Sequence, residues 1–125
     1  MTTVTVDVPA NLWVTSNSRL DWRVKARRVR ALRRLAHMLV KTRRIPPMGR
    51  AHLTVHVHPR RGVRFDPGNA SPAVKALVDG CVDAGLLPDD DHTHLIGPDY
   101  RAGEPIPSLP KQWHRLVLTF EEINP

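Results

Sequence analysis

The chain has little cysteine and no long apolar segment, which excludes disulfide-stabilised and membrane-spanning classes of protein. A single cysteine among 125 residues excludes an intramolecular disulfide and a cysteine-based zinc knuckle. No apolar run approaches the ~18 residues of a membrane span, and residues 1–8 lack the basic region and long apolar core of a signal peptide. We therefore expect one domain over residues 1–125, cytoplasmic and without a membrane partner.

Aromatic residues and reactive thiols are also scarce. Trp13, Trp22 and Trp113 are scattered along the chain, so a base-stacking platform for nucleic acid is not expected. Cys81 lies among Leu77, Val78 and Val82, a setting that favours a buried, inert thiol over a nucleophile.

Positive charge is abundant and unevenly distributed. The net charge is +7 and the sequence pI is about 10.7, values typical of nucleic-acid binders. Residues 1–64 contain 15 Lys and Arg against two Asp, whereas residues 65–125 contain four Lys and Arg against ten Asp and Glu. A basic half joined to an acidic half suggests that one half binds phosphates and the other a metal.

Hydrophobic periodicity predicts an α+β fold. Strict alternation predicts half-buried strands over residues 3–8, 51–58 and 115–120. Apolar stripes predict a helix over 22–42 and a second helix with Ser71 as its N-cap, Pro72 as its first residue and Gly85 in the left-handed position past its end. A short strand at 94–96 would lead into a Gly/Pro-rich loop over 97–110. The prediction is one small domain of order β-α-β-α-β-β, with one sheet and two main helices.

Acidic residues recur around the second predicted helix. Asp66 and Asn69 precede it, Lys75 and Asp79 lie one turn apart on it, and Asp89 to Asp91 follow it. Mg²⁺ in proteins usually takes one or two carboxylates, and in phosphodiester hydrolysis it neutralises the phosphate and activates water. A nearby lysine can stabilise the developing negative charge. Each piece alone is also compatible with a turn or a surface ion pair, but their joint occurrence indicates a metal-dependent nuclease.

The order of these residues is similar to that of a known family. The pattern Arg64-Phe65-Asp66-x-x-Asn69, then Lys75-Ala76-x-x-Asp79, then Ala84-Gly85-Leu86-Leu87-x-Asp89-Asp90 resembles the RusA family of Holliday-junction resolvases over roughly residues 60–100. The resemblance implies a small, homodimeric, Mg²⁺-dependent phage or prophage endonuclease (Mn²⁺ being a possible substitute) that cuts four-way DNA junctions in recombination and repair. It makes Asp66, Lys75 and Asp90 the catalytic residues and Asp66 and Asp90 the metal ligands. Four residues would support them: Asn69, Asp79, Asp89 and Asp91.

Two features depart from the family's pattern. Gly68 replaces the second Asp of the motif and has no side chain that could bind a metal, and the spacing from Asn69 to Lys75 is a few residues longer. The missing carboxylate could come from Asp79, Asp89 or Asp91. The alternative is a non-catalytic relative that binds DNA but has lost cleavage.

The basic residues provide the expected DNA contacts. Residues 19–44 hold 11 of the 19 Lys and Arg, and phosphate contacts from such a segment give affinity that is sequence-independent and salt-sensitive. The expected partner is branched double-stranded DNA, and its two-fold symmetry favours a homodimer. The predicted DNA-binding residues are Arg23, Lys25, Arg27, Arg30, Arg34, Arg60, Arg61 and Arg64.

Closely spaced histidines support a third hypothesis. His56 and His58 share one face of a predicted strand, and His92 and His94 have the same spacing. Such pairs can bind zinc. A His-metal hydrolase built on His56, His58 and Asp66 therefore stands as the least favoured alternative.

Overall fold

A computed structural model describes residues 1–124 and shows a small α+β domain. Four strands form one mixed sheet and two helices connect them, in the order β-α-β-α-β-β that the hydrophobic pattern predicts. The elements are β1 (Thr2–Val8), α1 (Trp22–Thr42), β2 (Ala51–Pro59), α2 (Ser71–Asp83), β3 (Leu95–Ala102) and β4 (His114–Glu122).

The sheet has the strand order β1-β4-β2-β3. Strand β4 pairs antiparallel with both β1 and β2, so Leu118 lies opposite Val4 on one side and Val55 on the other. Strands β2 and β3 are parallel, and the intervening chain contains α2, because a parallel pair needs a crossover connection. The ends of β1 and β2 and the start of β4 therefore meet at one end of the sheet, where His114 lies opposite Val8 and Pro59.

The core lies between the helices and one face of the sheet. Alternate strand residues are buried and their neighbours are half-buried or exposed, which is the pattern of a sheet covered on one side. Helix α1 contributes Leu32, Ala36 and Val40 to the same cluster, and α2 contributes residues from Ala73 to Cys81. Burial raises the pKa of the Cys81 thiol to about 12, consistent with an unreactive core residue.

The two helices touch at Gly80. A Cβ at this position would lie 2.0 Å from the carbonyl oxygen of Arg33 and 2.9 Å from the Cβ of Ala36. Only a glycine allows the backbones to approach this closely. The contact fixes where α2, which carries Lys75 and Asp79, lies against the arginine-bearing α1.

The structure corrects two predicted element boundaries. Helix α2 begins at Ser71 with Ala70 as its N-cap, because a 3₁₀ turn over Pro67–Ala70, capped by the Asp66 side chain, runs directly into it. Strand β3 extends from Leu95 to Ala102 instead of ending at residue 96. Its Pro98 is tolerated because β3 is an edge strand, and the register against β2 shifts near this point.

Two other predictions concern the helices. Gly85 has a φ of 87° just past α2, as predicted for a helix end. Within residues 1–124, neither helix is both long and apolar enough to cross a membrane.

Candidate functional site

Lys75 lies between two carboxylates from different parts of the chain. Its ammonium donates a hydrogen bond to Oδ1 of Asp79 at 2.9 Å, one turn further along α2. It also donates to Oδ2 of Asp90, which is 15 positions away in the loop that follows α2. The side chains of Asp79 and Asp90 are only 25% and 24% exposed, whereas that of Lys75 is 62% exposed. The sequence pattern of separated acidic residues thus becomes a compact cluster at the surface.

The loop that returns Asp90 to Lys75 is held by the core. Gly85 allows the chain to turn, and Leu86 and Leu87 are then fully or almost fully buried. The carbonyl oxygen of Leu86 accepts a hydrogen bond from the Met48 amide at 2.7 Å. The Ala-Gly-Leu-Leu segment therefore has a direct structural role, because it anchors the chain just before the acidic run.

The charges in this cluster stabilise one another. Hydrogen bonding from Lys75 is the largest influence that lowers the pKa of Asp90 below its usual range. Hydrogen bonding to Asp90, followed by that to Asp79, raises the pKa of Lys75. At neutral pH the cluster thus contains an ammonium and an ionised Asp90 carboxylate.

A cavity of about 340 Å³ opens beside this cluster. It lies between α2 and β3, and two members of the cluster, Lys75 and Asp90, line it. Burial raises the pKa of the Tyr100 phenol, which keeps this hydroxyl protonated and able to donate. The lining residues are Ser71, Lys75, Val78, Asp90, Leu95, Gly97, Pro98 and Tyr100.

Asp66 and Asn69 line a different cavity, of about 320 Å³. The Asp66 carboxylate accepts a hydrogen bond from the Gly68 amide at 2.9 Å and caps the 3₁₀ turn. The backbone carbonyl of Asn69 accepts from the Ser16 amide at 2.9 Å. Within residues 1–124, no hydrogen bond or ion pair joins Asp66 to Lys75 or Asp90. Of the three predicted catalytic residues, the structure brings two into contact.

The outer members of the acidic run have local roles. Asp89 accepts a hydrogen bond from the Asp90 amide at 2.7 Å. Asp91 accepts from the amide of Thr93 at 2.9 Å, and Nδ1 of His94 lies 2.9 Å from the same carboxylate oxygen. The hydroxyl of Thr93 is the largest influence that lowers the pKa of Asp91. Asp91 thus stabilises the turn into β3, whereas Asp89 orients the backbone beside Asp90.

Arg33 connects the acidic cluster to the basic helix. It forms a two-pronged ion pair with Asp83, at 2.5 and 2.8 Å, and this pair is the main reason that the pKa of Arg33 is raised. The charges of Asp79 and Asp90 raise it further, which places both carboxylates near α1. Arg33 was not among the predicted DNA-binding residues. The sequence does place it beside the apolar stripe of the helix predicted over residues 22–42.

The predicted DNA-binding residues lie on two surfaces. Arg23, Lys25, Arg27, Arg30 and Arg34 are exposed on α1, and the Arg23 guanidinium lies 4.7 Å from the centre of the Trp22 ring. Arg60, Arg61 and Arg64 follow β2 at the end of the sheet, where Arg60 is half-buried and donates to the Leu109 carbonyl at 3.0 Å.

The histidines do not assemble with Asp66. His52 pairs with Asp99 at 2.5 Å, and Nδ1 of His58 is hydrogen-bonded to the Glu104 carbonyl at 2.9 Å. His56 lies 6.4 Å from His58 between ring centres. In the part of the chain that the structure describes, no three His, Cys, Asp or Glu side chains form a cluster that could hold a metal ion. The proposed ligand set of a His-metal hydrolase is therefore not formed.

One aromatic cluster was missed by sequence reasoning. The rings of Trp13 and His114 are stacked, 3.9 Å apart and within 8° of parallel, and both line the Asp66 cavity together with Phe65. Trp113 lines the adjoining cavity. Trp13 and His114 are separated by about a hundred positions, and the pairing of β1 with β4 places His114 opposite Val8, shortly before Trp13 in the chain.

Comparison with known proteins adds no relative. No protein-family model matches the chain, and no curated protein is significantly similar to it in sequence.

Proposed function

We propose that this protein is a Mg²⁺-dependent, structure-selective endodeoxyribonuclease that resolves four-way DNA junctions, as its resemblance to the RusA family implies. The observation that carries the proposal is the contact of Lys75 with both Asp79 and Asp90. A lysine and two carboxylates from separate segments form this group next to a helix with seven exposed basic residues. This is the residue chemistry that cleavage of a phosphodiester requires.

The donor set suits a hard divalent cation. One ammonium hydrogen-bonds to both carboxylates, so the oxygens of Asp79 and Asp90 are close enough to share one small cation. Mg²⁺ needs only one or two protein carboxylates, since water and substrate phosphate complete its shell. In the proposed site Asp90 and Asp79 hold the ion. Asp66, which the family resemblance makes a metal ligand, lines a different cavity.

Each residue has a distinct proposed role. Bound Mg²⁺ would neutralise the scissile phosphate and lower the pKa of the attacking water. Lys75, released from the carboxylates, donates to a phosphate oxygen and stabilises the charge that develops in the transition state. Tyr100 supplies a neutral hydroxyl on the other side of the same cavity. Asp89 holds the backbone of Asp90 in place.

The arginine face of α1 would bind the DNA backbone. Contacts to phosphate carry no sequence information, which suits recognition of junction shape. A junction with two-fold symmetry is cut symmetrically by a two-fold enzyme, so the proposal includes a homodimer.

The test is a cleavage assay on a labelled four-way junction with Mg²⁺. We expect paired symmetric nicks with the unmodified protein and a loss of at least a hundred-fold with Asp90→Asn. Asp91→Asn is the matched control, because Asp91 contacts only the turn at Thr93 and His94. A protein that binds the junction without nicking it, at any Mg²⁺ or Mn²⁺ concentration, would contradict the proposal.

A second candidate function is junction binding without cleavage. Gly68 favours it, because the residue offers only its amide, which donates to Asp66, where the family's motif has a carboxylate. This alternative predicts salt-sensitive binding of branched DNA that is unchanged by Asp90→Asn.

A further inference from the structure

Two cavities adjoin at the end of the sheet where β1 and β2 finish and β4 begins. The first, of about 320 Å³, has aromatic walls from Trp13, Phe65 and His114, with Asp66 and Asn69 at its edge. The second, of about 390 Å³, contains three cationic side chains, Arg60, Arg61 and Lys111. The two share Pro59, Val63 and His114 as common walls. An aromatic chamber therefore opens beside a cationic one.

The cationic chamber is suited to an anion. Its three basic side chains come from the turn after β2 and the loop before β4, and Lys111 and Arg61 are exposed. None of the three forms a salt bridge within residues 1–124. Like charges held together without an acidic partner favour binding of a phosphate.

His114, which lines both chambers, carries a buried polar atom. The buried Nδ1 of His114 has no hydrogen-bond partner among the described residues, which is uncommon for a buried polar group. Burial lowers the pKa of His114, so its imidazole is neutral and can donate from one nitrogen and accept at the other. Asn69 and Asp66 add further donors and acceptors beside the stacked rings.

We propose that these adjoining cavities bind one unpaired nucleotide of a DNA strand, with the base in the aromatic chamber and its phosphate in the cationic one. Stacking on Trp13 and Phe65 supplies affinity for any base, and Asn69 provides hydrogen bonds to a base edge. This inference rests on the proposed action on DNA. In an open four-way junction the base pairs beside the crossover are stacked on one side only, so a nucleotide is extruded there at a lower cost than from an intact duplex.

The test compares two labelled duplexes in EDTA, so that no cleavage occurs. One carries a single bulged nucleotide and the other carries a bulged abasic residue at the same place. We expect the protein to bind the base-bearing duplex roughly 5- to 150-fold more tightly, the range measured for stacking of a base on aromatic side chains. Trp13→Ala should reduce this ratio to about one and leave affinity for the abasic duplex unchanged.

Trp22→Ala is the matched control, because Trp22 is 69% exposed on α1 and lines neither chamber. It should leave the ratio intact. If thermal melting shows that Trp13→Ala does not fold, Asn69→Ala serves instead and should reduce the affinity ratio several-fold. Truncating the Asn69 side chain should leave the fold intact, because the hydrogen bond between Asn69 and Ser16 uses the backbone carbonyl of Asn69. A free deoxymononucleotide added at micromolar concentration should not compete.

Equal affinity of the unmodified protein for both duplexes would overturn the nucleotide site and leave the nuclease proposal standing. Tight binding of the free mononucleotide would also overturn it, by identifying a soluble ligand. Tighter binding of the base-bearing duplex than of the abasic duplex, in a protein that does not cleave junctions, would support the nucleotide site and contradict the nuclease proposal. The failures of the two proposals are therefore distinguishable.

Discussion

Replacing Gly80 with alanine tests whether the helix contact positions the proposed catalytic cluster of Lys75, Asp79 and Asp90. The added methyl group would lie 2.0 Å from the Arg33 carbonyl oxygen and 2.9 Å from the Cβ of Ala36. Both distances are far inside van der Waals contact, and the Arg33 oxygen belongs to a backbone that cannot rotate away. The helices must therefore separate, and α2 must carry Lys75 and Asp79 with it.

The expected magnitude is the difference between two opposing effects. Overpacking of a tight contact typically costs about 1–3 kcal/mol and occasionally more. Alanine is better than glycine in a helix interior by about 1 kcal/mol, which offsets part of the cost. Because the clash is with rigid backbone, we expect a cost in the upper part of the first range and therefore a net destabilisation of about 1–2 kcal/mol. For a domain of this size that lowers the melting temperature by roughly 3–10 °C.

Thermal melting followed by circular dichroism measures the effect. Gly49→Ala is the matched control, because nothing lies within 4 Å of its added Cβ and its φ is not positive, so its melting temperature should stay unchanged or rise slightly. Junction cleavage at a temperature where both variants are folded should fall for Gly80→Ala only. A Gly80→Ala protein as stable as the parent would refute the close helix contact.

Three further predictions concern charge. Lys75 holds the pKa of Asp90 below that of an unfolded aspartate. This interaction therefore stabilises the fold above about pH 4, and the stabilisation is lost as the pH falls through the lower pKa of the folded state. Acid titration of Lys75→Met should show a smaller loss of stability over that window than the parent shows, and identical acid profiles would contradict the contact. Arg30→Ala with Arg34→Ala should weaken junction binding at every sequence and reduce the slope of log K against log salt by about 0.9 for each phosphate contact removed, whereas an unchanged slope would place DNA on another surface. Among the carboxylates, Asp79→Asn should abolish cleavage, as we expect of Asp90→Asn. Asp66→Asn should reduce cleavage less than either of these variants. Full activity of Asp79→Asn in Mg²⁺ would remove Asp79 from the proposed metal site.

The sequence predicted the elements better than their boundaries. Both helices and the strands β1, β2 and β4 follow from local periodicity, because one face of each is buried and the other is not. The length of β3 was underestimated, since Gly97 and Pro98 resemble loop residues and are tolerated only because the strand lies at the edge of the sheet. The cap of α2 was displaced by one residue because a 3₁₀ turn precedes the helix, and such a turn has no distinct hydrophobic period.

Some contacts of the candidate site could be predicted from the sequence and others could not. Lys75 and Asp79 were predictable neighbours because four residues make about one helical turn. The acidic run after the helix was grouped with them from the sequence, and the family resemblance selected Asp90 within that run. The stacked pair of Trp13 and His114 could not be predicted, because it depends on the register of β1 against β4. Sequence separation hides contacts of this kind, and a scarcity of aromatic residues says little about where the few that exist will meet.

Under the proposed function, the position of Asp79 gives a physical interpretation of Gly68, which stands where the RusA pattern has an Asp. A metal site needs a certain number of carboxylate oxygens around one point, and it does not matter which segment supplies them. In this protein the loop residue is Gly68, and its amide donates a hydrogen bond to the Asp66 side chain. The carboxylate of Asp79, on helix α2, accepts a hydrogen bond from the Lys75 ammonium, as Asp90 also does. A rigid helix positions such a group at least as accurately as a loop does. We therefore infer that Asp79 replaces the missing motif carboxylate, and that the proposed active site depends on α2 and the loop after it more than on the Asp66 turn.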